Sequence, residues 1–255
     1  MTDAAAPFRF VLVRTSHPGN IGAAARAIRT MGFDRLALVA PAQFPSREAD
    51  ALAANAVAVL AAATVHGDLP AALAPATLAL GLSARRREVE LEELSPREAA
   101  ARAVAEAARG GTVALVFGNE RTGLENAELA CCHATVRIPS AEDYASLNLA
   151  QAVQVMAYEL RLAMLERATP AAVVTTPAPA PAPAPVEQLE RFFAHLADTL
   201  EAIDFHKGRD PTQIMLRLRR LVMRARPDER ELRILHGILA DAERMAALAL
   251  GRDGR

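Results

Sequence analysis

Residues 8–32 read FRFVLVRTSHPGNIGAAARAIRTMG. Phe8–Arg14 is short, apolar and β-rich, as expected of a strand covered on both faces. It runs through His17, Pro18 and Gly19 into Asn20–Met31, a helical stretch closed by Gly32. The same kind of strand recurs at Leu36–Ala40, Thr77–Leu82, Thr112–Gly118 and Thr135–Ile138. Further helices read at Pro96–Arg109, with Ser95 as N-cap, Pro96 at N1 and Gly110 after the end, and at Ser146–Glu166, where Ser146 is placed to cap. Alternating strands and helices predict an α/β fold with a mostly parallel sheet and helices on both sides. Ligands in such sheets bind beyond the carboxyl ends of the strands.

The rest of the chain fits around this unit. Its 255 residues are 52% apolar, enough for a sizeable core. With 29 basic and 30 acidic residues the net charge is −1, so any nucleic-acid site must be a local basic patch. Two cysteines exclude a disulfide framework, and Cys131-Cys132-His133 cannot close a tetrahedral metal site, so no metal is expected. No apolar run is long enough to cross a bilayer, and MTDAAAPFRF lacks the features of a signal peptide, so a cytoplasmic protein is expected. Residues 168–186, ATPAAVVTTPAPAPAPAPV, predict an extended polyproline linker. Beyond it only helices read, at Val186–Ile203, Pro211–Arg224 and Asp228–Leu250, with Ile214, Leu218 and Leu221 on one buried face. The expected organisation is a domain over 1–167, a linker over 168–186 and a small all-helical domain over 187–255.

Three segments at strand ends carry chemistry. The first places Asn20 and Arg26, with Arg29 a turn further on, in the helix after the first strand, suited to an anionic ligand. It is not a Walker loop, since the only lysine is Lys207, and it lacks the third glycine and the acidic residue of a dinucleotide fingerprint. The second is ALVFGNERTGL, residues 114–124, where Gly118 permits close approach of a flat ligand and Gly123 suits positive φ. The third is VRIPSAEDYASLNLAQA, residues 136–152, with Asn148 and Gln151 on one helical face. A shorter fourth, GLSARRR at 81–87, puts three arginines after a strand end. Taken alone, the first is at least as compatible with an ordinary βα turn and the third fits a plain helix cap better, whereas the second, with polar residues against a buried strand end, tilts towards a site and the fourth fits a solvated loop or a phosphate site equally.

Together and in this order, the three main segments resemble the motifs of the SpoU branch of the SPOUT RNA methyltransferases. They are closest to its TrmJ group, the tRNA (cytidine/uridine-32) 2′-O-methyltransferases. The resemblance runs from about Phe8 to Arg167. It resumes at LERFFAHLADTLEAIDF and MLRLRRLVMRARPDERELRILHGILA. It implies a trefoil knot near the end of the catalytic domain, a homodimer, S-adenosyl-L-methionine as methyl donor and tRNA as substrate. Carried over residue by residue, the cofactor loops are Leu82, Ser83 and Ala84, then Gly118, then Ile138, Ala145, Ser146 and Leu147. Ala145 stands where relatives have a small hydroxyl residue, and Asn119 fills a slot that is often basic. Arg26 is expected beside the reacting ribose, oriented by Asn20, with Ser146 and Asn148 aligning the cofactor tail and the ribose. The basic stretch 206–226 contains Lys207, Arg209, Arg217, Arg219, Arg220, Arg224 and Arg226 against only Asp210. Arg217, Arg220 and Arg224 share a face, and with Arg85 and Arg87 they are expected to grip the tRNA backbone. The alternatives are a 2′-O-methyltransferase acting at another RNA site and a catalytically silent RNA-binding dimer. A nicotinamide oxidoreductase is disfavoured by the missing acidic residue.

Overall fold

The computed structural model describes residues 7–84, 91–141, 146–168 and 182–252. Seven parallel strands form one sheet: β1 (Phe8–Val13), β2 (Leu36–Val39), β3 (Thr64–His66), β4 (Leu78–Leu82), β5 (Glu93–Leu94), β6 (Val113–Phe117) and β7 (Ala134–Val136). Their spatial order is β3-β2-β1-β6-β4-β7-β5. The five strands read from the sequence are present; β1, β2, β4 and β6 are buried on both faces, while β7 leaves Thr135 half-buried. Phe8, Phe10 and Leu12 pack on one side of β1, and Val11 and Val13 on the other. That two-sided burial is why these strands read as continuous apolar runs.

Helices α1 (Pro18–Thr30), α2 (Arg47–Ala53), α3 (Val57–Ala61), α4 (Leu69–Leu73), α5 (Pro96–Ala107), α6 (Asn126–Leu129) and α7 (Leu149–Ala168) cover the sheet. The small residues of α1 let it lie against α2: a Cβ on Gly22 would overlap the Ala49 carbonyl. Ser95 caps α5 in a capping box with Glu98, as its sequence predicts. The cap of α7 differs from expectation. Ser146 lies outside the helix, and Asn148 caps it instead. The Asn148 Oδ1 accepts from the Ala150 N–H at 2.9 Å, and the Asn148 N–H donates to Gln151 Oε1 at 3.3 Å. Short elements β3, β5, α2, α3, α4 and α6 add to those the sequence pattern predicts.

The tail forms α8 (Val186–Ala202), α9 (Thr212–Ala225) and α10 (Glu229–Arg252). No strand is present there among the described residues, only an isolated bridge between Pro183 and Asp228. Phe192, Phe193, Met223 and Leu232 make its own core. It is also docked on the sheet domain. Val186 is buried with Leu73 and Leu129, and its N–H donates to the Ala76 carbonyl at 2.9 Å. Of the expected linker, 169–181 lie outside the described residues; Ala168 ends α7 and Ala184 is already buried in the tail core.

Candidate functional site

The carboxyl ends of β4, β6 and β7 converge, and a cavity of about 300 Å³ opens there. Leu82, Phe117, Val136, Ile138, Leu147 and Leu149 give it an apolar wall, while Ser83, Asn119, Glu120 and Thr122 give it a polar rim. Residues 118–123 form the turn after β6. Gly118 is required there, because a Cβ would overlap the backbone of Gly123 and Leu124, and Gly123 has φ +67°. Asn119 holds the turn closed. Its Oδ1 accepts from the Arg121 N–H at 2.9 Å, and its Nδ2 donates to the Arg14 carbonyl at 2.6 Å.

Glu120 ties this turn to the loop after β1. Its carboxylate accepts from Ser16 N–H at 3.0 Å, Ser16 Oγ at 2.6 Å, His17 N–H at 3.2 Å and Asn20 Nδ2 at 2.9 Å. Partial burial opposes its charge. The hydrogen bonds from Ser16 and Asn20 outweigh that and hold its pKa down to about 2. Asn20 Oδ1 in turn accepts from Asn148 Nδ2 at 3.0 Å. A chain of hydrogen bonds from Glu120 through Asn20 to Asn148 therefore joins all three segments.

Comparison with known proteins fits this geometry. Residues 7–158 match the SpoU rRNA Methylase family, and residues 187–250 match the C-terminal domain of the tRNA methyltransferase TrmJ. The chain is 48% identical over 235 residues to the tRNA (cytidine/uridine-2′-O-)-methyltransferase TrmJ of Escherichia coli K12, covering 92% of this chain and 94% of that one. The chain belongs to the SpoU methylase family. The crystal structure of TrmJ from Z. mobilis ZM4 superposes with a TM-score of 0.80 at 31% identity, covering 92% of this chain and 98% of that one. A structure described as giving insights into the 2-OH methylation of C/U34 on tRNA superposes with a TM-score of 0.51 at 27% identity, over 63% and 97% of the two chains.

The SpoU motifs thus meet in one place. Leu82, Ser83, Ala84, Gly118, Ile138, Ser146 and Leu147 all line the cavity. Ala145, Arg85 and Arg87 lie outside the described residues. Arg26 is not in the lining. It is exposed on α1, about 240° round the helix and roughly 9 Å along it from Asn20. Asn20 donates its Nδ2 to Glu120 and accepts from Asn148 at its Oδ1, and among the described residues no hydrogen bond joins it to Arg26. The expected orienting contact is therefore replaced by one to Glu120. Sequence reading gave Glu120 no role, because its partners lie about a hundred residues away. The available signal was a carboxylate held between Gly118 and Gly123 at a buried strand end.

The basic stretch divides in two. Arg217, Arg220 and Arg224 face a cleft shared with Arg102 and Glu92. Arg219 and Arg226 are committed within the protein. Arg219 pairs with Glu190, donates to the Ala130 carbonyl at 3.0 Å and lies over the Phe193 ring, 4.4 Å from its centroid. Arg226 pairs with buried Glu106 at 2.6 Å. Cys131 and Cys132 are buried, and burial raises both thiol pKa values. Among the described residues no cluster of metal-ligating side chains is present, and no helix is long and apolar enough to cross a membrane.

Proposed function

We propose that this protein is a cytoplasmic tRNA 2′-O-methyltransferase acting on the ribose of the pyrimidine at position 32, with S-adenosyl-L-methionine as donor. It works as a knotted homodimer, with the domain that ends in α7 catalytic, a linker after it, and the helical tail from α8 onward an RNA-binding extension. The observation that carries the reading is the cavity where three SpoU segments converge. Its wall is apolar enough for an adenine ring, its rim is polar, and Gly118 leaves backbone room for a flat group. Exposed Tyr158 and Leu165 on α7 support a partner subunit on that helix.

When bound, the donor supplies an electrophilic methyl group on a sulfonium. Transfer to the ribose 2′-oxygen would form a carbon–oxygen bond as the sulfur–carbon bond broke, and the 2′-proton would have to leave. The residues serve alignment and charge. Leu82, Ser83, Ala84, Gly118, Ile138, Ala145, Ser146 and Leu147 hold the cofactor, largely through backbone groups and apolar contact. Asn20 and Asn148, locked to each other and to Glu120, set the approach of the ribose. A guanidinium only donates hydrogen bonds, so Arg26 is not a free base. It grips the adjacent phosphate and stabilises the developing alkoxide, while that phosphate or an ordered water takes the proton. Incubating the protein with labelled donor and unmodified tRNA, then cutting the tRNA with a nuclease and sequencing the oligonucleotides by mass spectrometry, tests this. Labelled 2′-O-methylcytidine or 2′-O-methyluridine at position 32 is expected; no labelled nucleoside would remove the reading, and label at another site would reassign the position.

A further inference from the structure

His133 belongs to the Cys-Cys-His run that the catalytic reading leaves unused. It ends the turn into β7 and is 5% exposed. Its Nδ1 accepts from the Ala79 N–H at 3.0 Å, so in the neutral ring the proton sits on Nε2. The ring lines the floor of a cavity of about 750 Å³ between the catalytic domain and α9. Arg102 of α5 forms one wall, and Arg217, Arg220 and Arg224 of α9 the other. Among the described residues that line it, the one carboxylate is Glu92, which is exposed and paired with Arg102 at 2.6 Å. Burial, with the charges of Arg226 and Arg102, pushes the His133 pKa down to about 3, so the ring is a neutral donor in a positive field at physiological pH.

We propose that this cleft is an RNA phosphodiester site built jointly by the two domains, in which Arg102 and the α9 arginines clasp the backbone and His133 Nε2–H donates to a phosphate oxygen. The proposal rests on the tRNA reading above. It adds that the catalytic domain supplies one jaw, so that bound RNA bridges α5 and α9 of one chain. Glu92 holds Arg102 until a phosphate displaces it. Arg219 and Arg226 keep α9 against the sheet domain, so the jaws are held apart at fixed width and not hinged on a free tail.

The test uses the full-length protein and fluorescently labelled tRNA, with anisotropy measured across a salt series. Arg102→Gln is expected to weaken binding about three- to tenfold and to reduce the slope of log K against log salt by about 0.7–0.9, the share of one phosphate contact. His133→Gln is expected to weaken binding a few-fold without changing the slope. Arg244→Gln, which removes an exposed arginine paired with Asp241 on α10, should change neither. Affinity for S-adenosylhomocysteine should be unaltered in all three. Unchanged affinity and slope in Arg102→Gln, with wild type still binding and methylating tRNA, overturns the cleft and leaves the methyltransferase reading standing. Failure of wild type to bind tRNA removes both. The ¹⁵N signal of the His133 imidazole in wild-type protein gives a readout independent of any variant's folding. It should move on adding tRNA and stay still with inorganic phosphate at matched ionic strength; an equal shift with phosphate alone makes the cleft a general anion site and refutes the RNA assignment.

Discussion

Replacing Glu120 by Gln probes the joint between the first and second motifs. The carboxylate accepts four hydrogen bonds, from Ser16 N–H, Ser16 Oγ, His17 N–H and Asn20 Nδ2. A carboxamide has one acceptor oxygen, so its NH₂ group would face two of those donors and leave them unpaired. The pKa held at about 2, against an ordinary 4.5, bounds the favourable coupling of the charge at about 3 kcal/mol. Solvent at the half-exposed rim screens this to roughly 1–2 kcal/mol. Because the folded pKa is depressed, this stability is fully present above pH 4.5 and is lost as pH falls through about 2. Urea unfolding at pH 7 should therefore show Glu120→Gln less stable by roughly 1–2 kcal/mol. The gap should narrow steadily below pH 4.5. Methyl transfer should fall more than stability does, because Asn20 and Asn148 lose their anchor, while Asn119 still holds the turn shut over the cofactor. A variant within about 0.5 kcal/mol of wild type at pH 7, with full turnover, would refute the claim that Glu120 organises the site.

Other substitutions test separate parts of the account. Arg26→Lys should bind S-adenosylhomocysteine normally yet lose at least about tenfold in turnover, since an ammonium lacks the planar fork; near-wild-type turnover contradicts the phosphate-clamp role. Arg226→Met leaves the buried Glu106 carboxylate only Thr77 Oγ1 at 2.6 Å and the longer pair with Arg109 at 3.8 Å, and should cost up to about 3 kcal/mol, read by thermal unfolding, whereas pairing it with Glu106→Gln should recover much of that. Gly22→Ala forces α1 away from the Ala49 carbonyl and should destabilise by about 1–3 kcal/mol in chemical denaturation. His133, held neutral down to about pH 3, makes the unfolded chain bind one more proton below pH 6.5. Its contribution is present above pH 6.5 and fades as pH falls towards 3, at about 1.4 kcal/mol per pH unit, and His133→Gln should flatten that part of the stability profile.

What the sequence disclosed followed from how local each signal was. Strands β1, β2, β4 and β6 are buried on both faces, so each is visible as a largely apolar run. The stretch 47–74 hides three helices because its many alanines give no contrast between faces. The caps Ser46 and Asp68 were readable there, accepting from Glu48 N–H at 3.3 Å and Ala71 N–H at 2.9 Å. Strand β5 has two residues, too few for any period. The cavity-lining segments could be placed because each follows a strand end. The links between them could not, since Glu120 meets Ser16 and Asn20 only through the sheet order β1-β6-β4. The same limit applies to 206–226. Acidic residues are scarce within that stretch, yet Arg219 and Arg226 find Glu190 and Glu106 from elsewhere in the chain.

The central claim is that the cavity beyond β4, β6 and β7 holds the methyl donor. Isothermal titration of the purified protein with S-adenosylhomocysteine tests it most directly. The account predicts saturable heat with one site per cavity, abolished by a bulky substitution at Leu147 that leaves thermal unfolding unchanged. A flat titration of folded protein, or binding indifferent to Leu147, would contradict it.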